Sequence, residues 1–169
     1  MDLIDLPAFG PDDFDQVTGG EPDPFGTDHL GIEWLGKSDH LGLMDDGRLI
    51  GHAGWVASSV RTAEEPERAV LGLGSVMLHA DYRGHGVGAQ LVEGAMMRMR
   101  SAGPALGVLF CRPERLDFYG RLGWIPLAGE VTVEQTAGRI VMPLRTCWTA
   151  LVEGASLPGG DVRVMGLPF

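Results

Sequence analysis

The run Arg83-Gly84-His85-Gly86-Val87-Gly88 limits what this chain can fold into more than any other stretch. An apolar segment over residues 70–78 precedes it and an amphipathic one follows without a break, so the order reads as strand, loop, helix. From the loop onward Val87, Leu91, Val92, Ala95, Met96 and Met99 recur at spacings that keep one helical face inside, while Gln90, Glu93, Arg98 and Arg100 occupy the other. Gly84, Gly86 and Gly88 lack a Cβ, which lets the backbone turn sharply and aim its N–H groups into one concavity at the positive end of the helix dipole. A diphosphate suits such a pocket, and Arg83 adds a planar cation matched to phosphate oxygens.

Alternate glycines at a strand-to-helix turn also serve close packing alone. Two other nucleotide-binding arrangements compete for the same residues. A Walker loop needs Gly-Lys-Ser/Thr, and no Lys follows these glycines. A dinucleotide fold wants an acidic residue at the tip of the next strand, about 20 residues on. The next apolar run, over residues 105–110, ends instead in Cys111-Arg112. Both are disfavoured.

The loop resembles the Arg/Gln-x-x-Gly-x-Gly/Ala element of the GNAT superfamily of acyl-CoA-dependent N-acyltransferases. A second signature lies where that family would place it: residues 105–111 are similar to its fifth strand and residues 114–123 to the helix that follows. There Phe118-Tyr119-Gly120-Arg121-Leu122-Gly123-Trp124 is similar to the family's Phe/Leu-Tyr-x-x-x-Gly-Phe/Trp. From about Asp28 onward the chain most resembles the aminoglycoside 2'-N-acetyltransferases. The resemblance is carried by Leu49-Ile50-Gly51-His52-Ala53, His79-Ala80-Asp81-Tyr82-Arg83-Gly84, Leu122-Gly123-Trp124-Ile125-Pro126, Ile140-Val141-Met142-Pro143-Leu144 and Gly160-Asp161-Val162. It departs at two positions: Gly74 stands where those enzymes carry a fourth-strand Glu facing the substrate amine, and Arg163 where they carry a Trp. The fold this implies is an α/β (α+β) chain with a mixed, mostly antiparallel central sheet, helices on both faces and a splay between strands four and five.

At 169 residues, 44% of them hydrophobic, the chain can bury one good core but hardly two. Residues 1–169 are therefore expected to form a single domain, with a loop-rich extension over residues 1–25. No apolar run reaches the roughly 18 residues that cross a bilayer, and no basic segment leads an apolar signal over residues 1–10, so a cytoplasmic location is expected. The net charge of -10 disfavours nucleic acid and anionic membranes as partners and draws cations, although acidity also serves solubility alone. Cys111 and Cys147 lie far apart in the sequence, which indicates neither a disulfide framework nor a metal cluster; each is expected to be a small core residue. No metal is expected.

Along the chain, residues 1–25 show little periodicity and are expected to be loop or to hold one short helix. Thr27 can cap a short helix through Trp34. Residues 40–44 and 48–60 read as a hairpin across Asp45-Asp46-Gly47. After a polar connection come a strand over 70–78, a helix over 86–102, a strand over 104–111 and a helix over 112–122. Short strands near 130–134 and 139–144 follow, then a Gly/Pro-rich loop and a last strand over 162–167.

The resemblance implies direct acyl transfer from acetyl-CoA to a primary amine of a small cationic acceptor, with no covalent enzyme intermediate. Val76, Met77 and Leu78 would pair through their backbone with the pantetheine arm, and Arg83, Gly84, His85, Gly86, Val87 and Gly88 would hold the diphosphate. A backbone N–H of the fourth strand would polarise the thioester carbonyl. Tyr119 would act as general acid toward the departing thiolate. Phe118 and Trp124 are expected in the core, as are Met96, Met97 and Met99, although that Met-rich face would also suit a partner.

The group that takes the amine's proton stays unassigned. Ser75 is not a base, His52 reads as a hydrogen-bonded core histidine, and His79 and His85 flank the loop. Asp28, Glu33, Asp161 and the carboxyl group of Phe169 are loop or terminal groups that could reach a cleft. Cys111 as an acyl-accepting nucleophile has no His or Lys patterned to activate it. A non-catalytic acyl-CoA sensor or assembly module is the alternative, a degenerate domain that keeps only the fold is a third reading, and family habit admits a homodimer.

Overall fold

An Asp-Gly turn between two apolar-rich runs sets the first hairpin. In the computed structural model, which describes residues 1–169, β1 (Asp2–Leu6) and α1 (Pro11–Thr18) come first, and β2 (Asp39–Asp45) and β3 (Arg48–Thr62) then close over Asp46 and Gly47. Both turn residues have positive φ, 47° and 76°, the geometry whose twist matches paired strands. There follow β4 (Arg68–Leu78), α2 (Val87–Met99), β5 (Leu106–Cys111), α3 (Leu116–Arg121), β6 (Ile125–Pro126), β7 (Val131–Val133), β8 (Ile140–Val141), β9 (Arg145–Ala150) and β10 (Val162–Val164).

Ten strands make one sheet in the order β6-β9-β5-β4-β3-β10-β7-β8, with β2 and then β1 added beside β3. β3 serves three neighbours because it is 15 residues long: its first half pairs with β2 and its last three residues with β10, while β4 runs along its other edge. Only β4–β5 and β7–β10 are parallel, so the sheet is mixed and mostly antiparallel.

The period read from the sequence selects the face of α2 that goes inside: Val87, Leu91, Val92, Ala95, Met96 and Met99 are buried, together with Gly94. Full burial of Leu91, Val92 and Met99 stabilises by about 1.5–3 kcal/mol each. Gly94 lets α2 approach β1, since a Cβ there would come within 2.5 Å of the Leu3 side chain. Met97 departs from its expected core place and is exposed. α3 and Trp124 complete this core. α1 brings Val17 against Leu49 and Met77 in a separate cluster, and a third gathers Val108, Val131, Val164 and Phe169.

Four expectations need correction. β1 occupies residues read as loop or helix; its two aspartates and Pro7 behind it mask a short edge strand paired with β2. Thr27 caps no helix through Trp34. One 3₁₀ turn forms at Asp28–Leu30, ended by Gly31 at φ 60°, and the Asp23 carboxylate accepts from the N–H groups of Thr27 and Asp28 at 3.0 and 3.2 Å. β9 carries no alternation because it runs between β5 and β6 with Thr146, Cys147 and Thr149 all buried. The last strand stops at Val164, after which the chain turns back, Pro168 O accepting from Leu35 N–H at 2.6 Å. No helix is long and apolar enough to cross a membrane.

Candidate active site

β4 and β5 begin as partners and then part. Their ladder joins Leu71, Gly72 and Leu73 to Gly107, Val108 and Leu109 and stops there, although β4 continues to Leu78 and β5 to Cys111. A cavity of about 990 Å³ opens at the parting, lined by Val76, Met77 and Leu78 on one side and Phe110 and Cys111 on the other. This is the splay expected between strands four and five.

Arg83, Gly84, Gly86 and Gly88 line the same cavity. Gly84 and Gly86 adopt φ of 84° and 79°, and Gly86 is the N-cap of α2. Only glycine holds that conformation without strain. No atom lies within 4 Å of where a Cβ on either would project, and no side chain caps α2, whose Ala89 N–H donates to Gly86 O at 3.0 Å while the N–H groups before it have no side-chain partner. This open cradle fits a diphosphate. Val87 turns its side chain into the core and His85 is exposed, and neither lines the cavity; what they offer an anion is backbone.

Arg83 is already engaged. Its Nε donates to Leu78 O at 2.9 Å and its Nη2 to the Glu21 carboxylate at 2.7 Å. Glu21 lines the cavity and no sequence pattern marks it.

Tyr119 is buried in the cavity wall, edge-on to Phe118 and Trp124 at 5.0 and 6.3 Å. Burial pushes its phenol far above the usual range, so it keeps its proton and is able to donate a hydrogen bond. Beside it, β5–β9 pairing brings together the two cysteines that lie far apart in the sequence. The interaction of the two thiols lowers the Cys111 pKa and raises that of Cys147.

The β3 side of β4 is built differently. Gly54 and Gly74 face each other across the two strands, and the Lys37 side chain crosses the slot they leave. A Cβ on Gly54 would meet Lys37 Cγ at 2.8 Å, and one on Gly74 would meet Lys37 Cε at 2.7 Å and the Phe169 backbone carbon at 3.0 Å. A side chain at residue 74 would have to displace Lys37. Lys37 Nζ donates to Leu35 O at 2.9 Å, and burial pulls its pKa down to about 8. The Phe169 ring covers Gly72 and packs on Phe110 with centroids 4.9 Å apart.

Next to the slot, His52 is fully buried and neutral, its pKa pushed down to about 4 chiefly by burial. It is the hydrogen-bonded core histidine the sequence suggests: Nδ1 lies 2.8 Å from Ser75 O and Nε2 lies 3.0 Å from His40 Nδ1. Of the acids offered as bases, the Phe169 carboxyl group lies at the slot, its carbon 3.0 Å from where a Cβ on Gly74 would stand, and the other three lie elsewhere. Glu33 accepts from Thr136 at 2.6 Å, Asp161 accepts from Glu130 N–H at 2.8 Å, and Asp28 sits in its exposed turn. The acids that line the cavity are Glu21, Asp23, Glu114 and Asp117. His79 contacts Arg48 at 2.9 Å, and Arg163 is bound to Glu134.

No curated protein matches this sequence. Among solved structures, a GNAT family N-acetyltransferase (YhbS) from Escherichia coli in complex with CoA is similar at a TM-score of 0.61 and 19% identity, over 98% of this chain and 93% of that one. A GNAT family acetyltransferase from Brucella melitensis in complex with acetyl-CoA is similar at a TM-score of 0.56 and 19% identity, over 95% and 94%. At such identities the likeness is one of fold. Residues 15–127, which carry the glycine loop, the splayed strands and Tyr119, match the family described as Acetyltransferase (GNAT) domain. The chain belongs to the GNAT acetyltransferase family.

Proposed function

We propose that this GNAT domain transfers an acetyl group from acetyl-CoA to a primary amine of a small cationic acceptor, such as an aminoglycoside, a polyamine or an amino sugar, in the cytoplasm. The observation that carries this reading is the unpaired stretch of β4 facing a cavity of about 990 Å³ that also contains the open glycine cradle of α2. Arg83 and the backbone of Gly84, His85, Gly86, Val87 and Gly88 would hold the diphosphate, and the free edge at Val76, Met77 and Leu78 the pantetheine. Acetyl-CoA, when bound, supplies a thioester carbonyl open to attack by an amine.

The chain's own residues meet four needs. The β4 edge fixes the carbonyl against the incoming amine, and orientation of this kind can supply about 7 kcal/mol or more of the barrier. N–H groups of the same edge donate to the oxygen on which negative charge develops. Tyr119, kept protonated by burial, hands a proton to the departing sulfur. Lys37, with an amine near pKa 8 in the space of the absent glutamate, accepts the proton the acceptor ammonium must lose. The acidic surface draws a cationic acceptor toward the domain.

The test is calorimetric titration with acetyl-CoA of the wild type and of Gly86→Asp, which sets a bulky anion in the cradle. The wild type should bind and the variant should not, after which an amine screen with thiol detection identifies the acceptor. An acyl-CoA sensor without turnover is the second reading, favoured by glycine at residue 74 in place of a carboxylate. Tyr119→Phe separates the two: an enzyme loses about 10²-fold in kcat with its acetyl-CoA affinity kept, whereas a sensor has no turnover to lose.

A further inference from the structure

Only Asp46 and Ser75 combine a side chain with a positive φ. Asp46 sits in a hairpin turn that demands it. Ser75, at φ 50°, lies inside β4, where no turn does. The pairs His52–Met77 and Gly54–Gly74 leave Ala53 opposite both Ser75 and Val76, which is a β-bulge whose left-handed first position usually holds glycine. Holding a serine there strains the backbone, and such strain survives only where the surroundings fix it.

The bulge lifts the Ser75 carbonyl out of regular pairing, and a buried carbonyl needs a donor. His52 supplies it at 2.8 Å. Because the carbonyl can only accept, Nδ1 carries the His52 proton and Nε2 accepts from His40 Nδ1–H at 3.0 Å. Phe9 stacks on the ring with centroids 3.6 Å apart. The imidazole is thus held on its edges and on one face.

We infer that His52 is a positioning residue for acyl transfer: its Nδ1–H clamps the Ser75 carbonyl and so fixes the β4 bulge that turns Val76, Met77 and Leu78 toward the cavity. Its kinetic consequence rests on the acyl-transfer reading; its structural consequence does not. His52 never touches the reacting atoms in this role. It sets where the backbone donors stand, and small displacements of such donors cost rate steeply.

The test compares His52→Asn, whose amide N–H can stand where Nδ1–H stood, with His52→Leu, which has no donor. The readouts are amide hydrogen exchange over residues 74–78, kcat for thiol release from acetyl-CoA with kanamycin or spermidine as acceptor, and melting temperature. The Leu variant should exchange faster over 74–78 and lose about tenfold or more in kcat, and the Asn variant should recover both. Unchanged exchange in the Leu variant, or an Asn variant no better than Leu, overturns the inference. Nitrogen chemical shifts of the wild type give a check that needs no variant to fold: a proton on Nε2 of His52 instead of Nδ1 overturns it. A wild type that releases no thiol with any amine overturns the acyl-transfer reading and the kinetic part of this inference together, whereas a wild type that turns over beside an equally active Leu variant overturns the inference alone.

Discussion

The two edges of β4 solve different problems with different material. On the edge facing β5 the chain withholds contacts: the ladder ends at Leu73, and no atom lies within 4 Å of where a Cβ would stand on the left-handed glycines ahead of α2. On the side facing β3 Lys37 lies across Gly54 and Gly74 and His52 bonds the bulge, while the Phe169 ring covers Gly72 between β3 and β5. An open site lined by backbone suits a co-substrate handled alike across a family. On the other side the shape is set by side chains, those of residues 9, 37, 40, 52 and 169.

That contrast is broken most directly at Lys37. If the filled side supplies the base, Lys37→Met should lower kcat by about 10²-fold, the usual worth of a placed general base, and leave the acetyl-CoA titration unchanged. In the wild type kcat should rise with pH as the Lys37 amine loses its proton near pH 8, and this limb should disappear in the variant. An unaltered kcat would move the base to another group.

The packing difference predicts unequal costs for one methyl group. Gly72→Ala puts a Cβ into the Phe169 ring and should destabilise by about 2–3 kcal/mol, the upper part of the range for overpacking a core. Gly84→Ala meets no atom and should cost only the left-handed backbone, about 1 kcal/mol. Urea unfolding of both measures the difference, and equal costs would erase the distinction between the two sides.

The cofactor side was legible in the sequence and the filled side was not, for a physical reason. Three alternate glycines and a helix period are local patterns, so the loop and the buried face of α2 follow from neighbours in the chain. The Asp46-Gly47 turn is local too. Gly74 showed that a glutamate is missing, yet what replaces it comes from Lys37 and Phe169, and no spacing rule connects residues 37, 54, 74 and 169. β9 escaped because burial on both sides removes alternation, and β1 because its aspartates hide an edge. Glu21 beside Arg83 is a pairing over 62 residues that only the fold reveals.

Acid should expose the buried imidazole on the filled side. His52 has a pKa near 4 in the folded protein against 6.5 ordinarily, so between these values the unfolded chain binds the proton more readily. Stability is therefore fully present above pH 6.5 and is lost as pH falls toward 4, by about 2 kcal/mol between pH 7 and 5. Urea midpoints across that interval should show the slope, and His52→Asn should flatten it. A slope that survives the substitution would assign it to other groups.

The smallest expected effect lies on the open side, where Glu21 is the one carboxylate that binds the loop arginine. A diphosphate arriving at Arg83 must displace that carboxylate or share the guanidinium with it, and both choices subtract from affinity. The pair is roughly 40–45% exposed, so water and salt already screen it and it is worth about 0–1 kcal/mol. Glu21→Gln should therefore tighten CoA by up to about fivefold in low salt, and the gain should shrink as salt rises. Weaker binding in the variant would reverse the reading: Glu21 would then be holding Arg83 where the diphosphate needs it, and the open side would depend on side-chain placement as the filled side does.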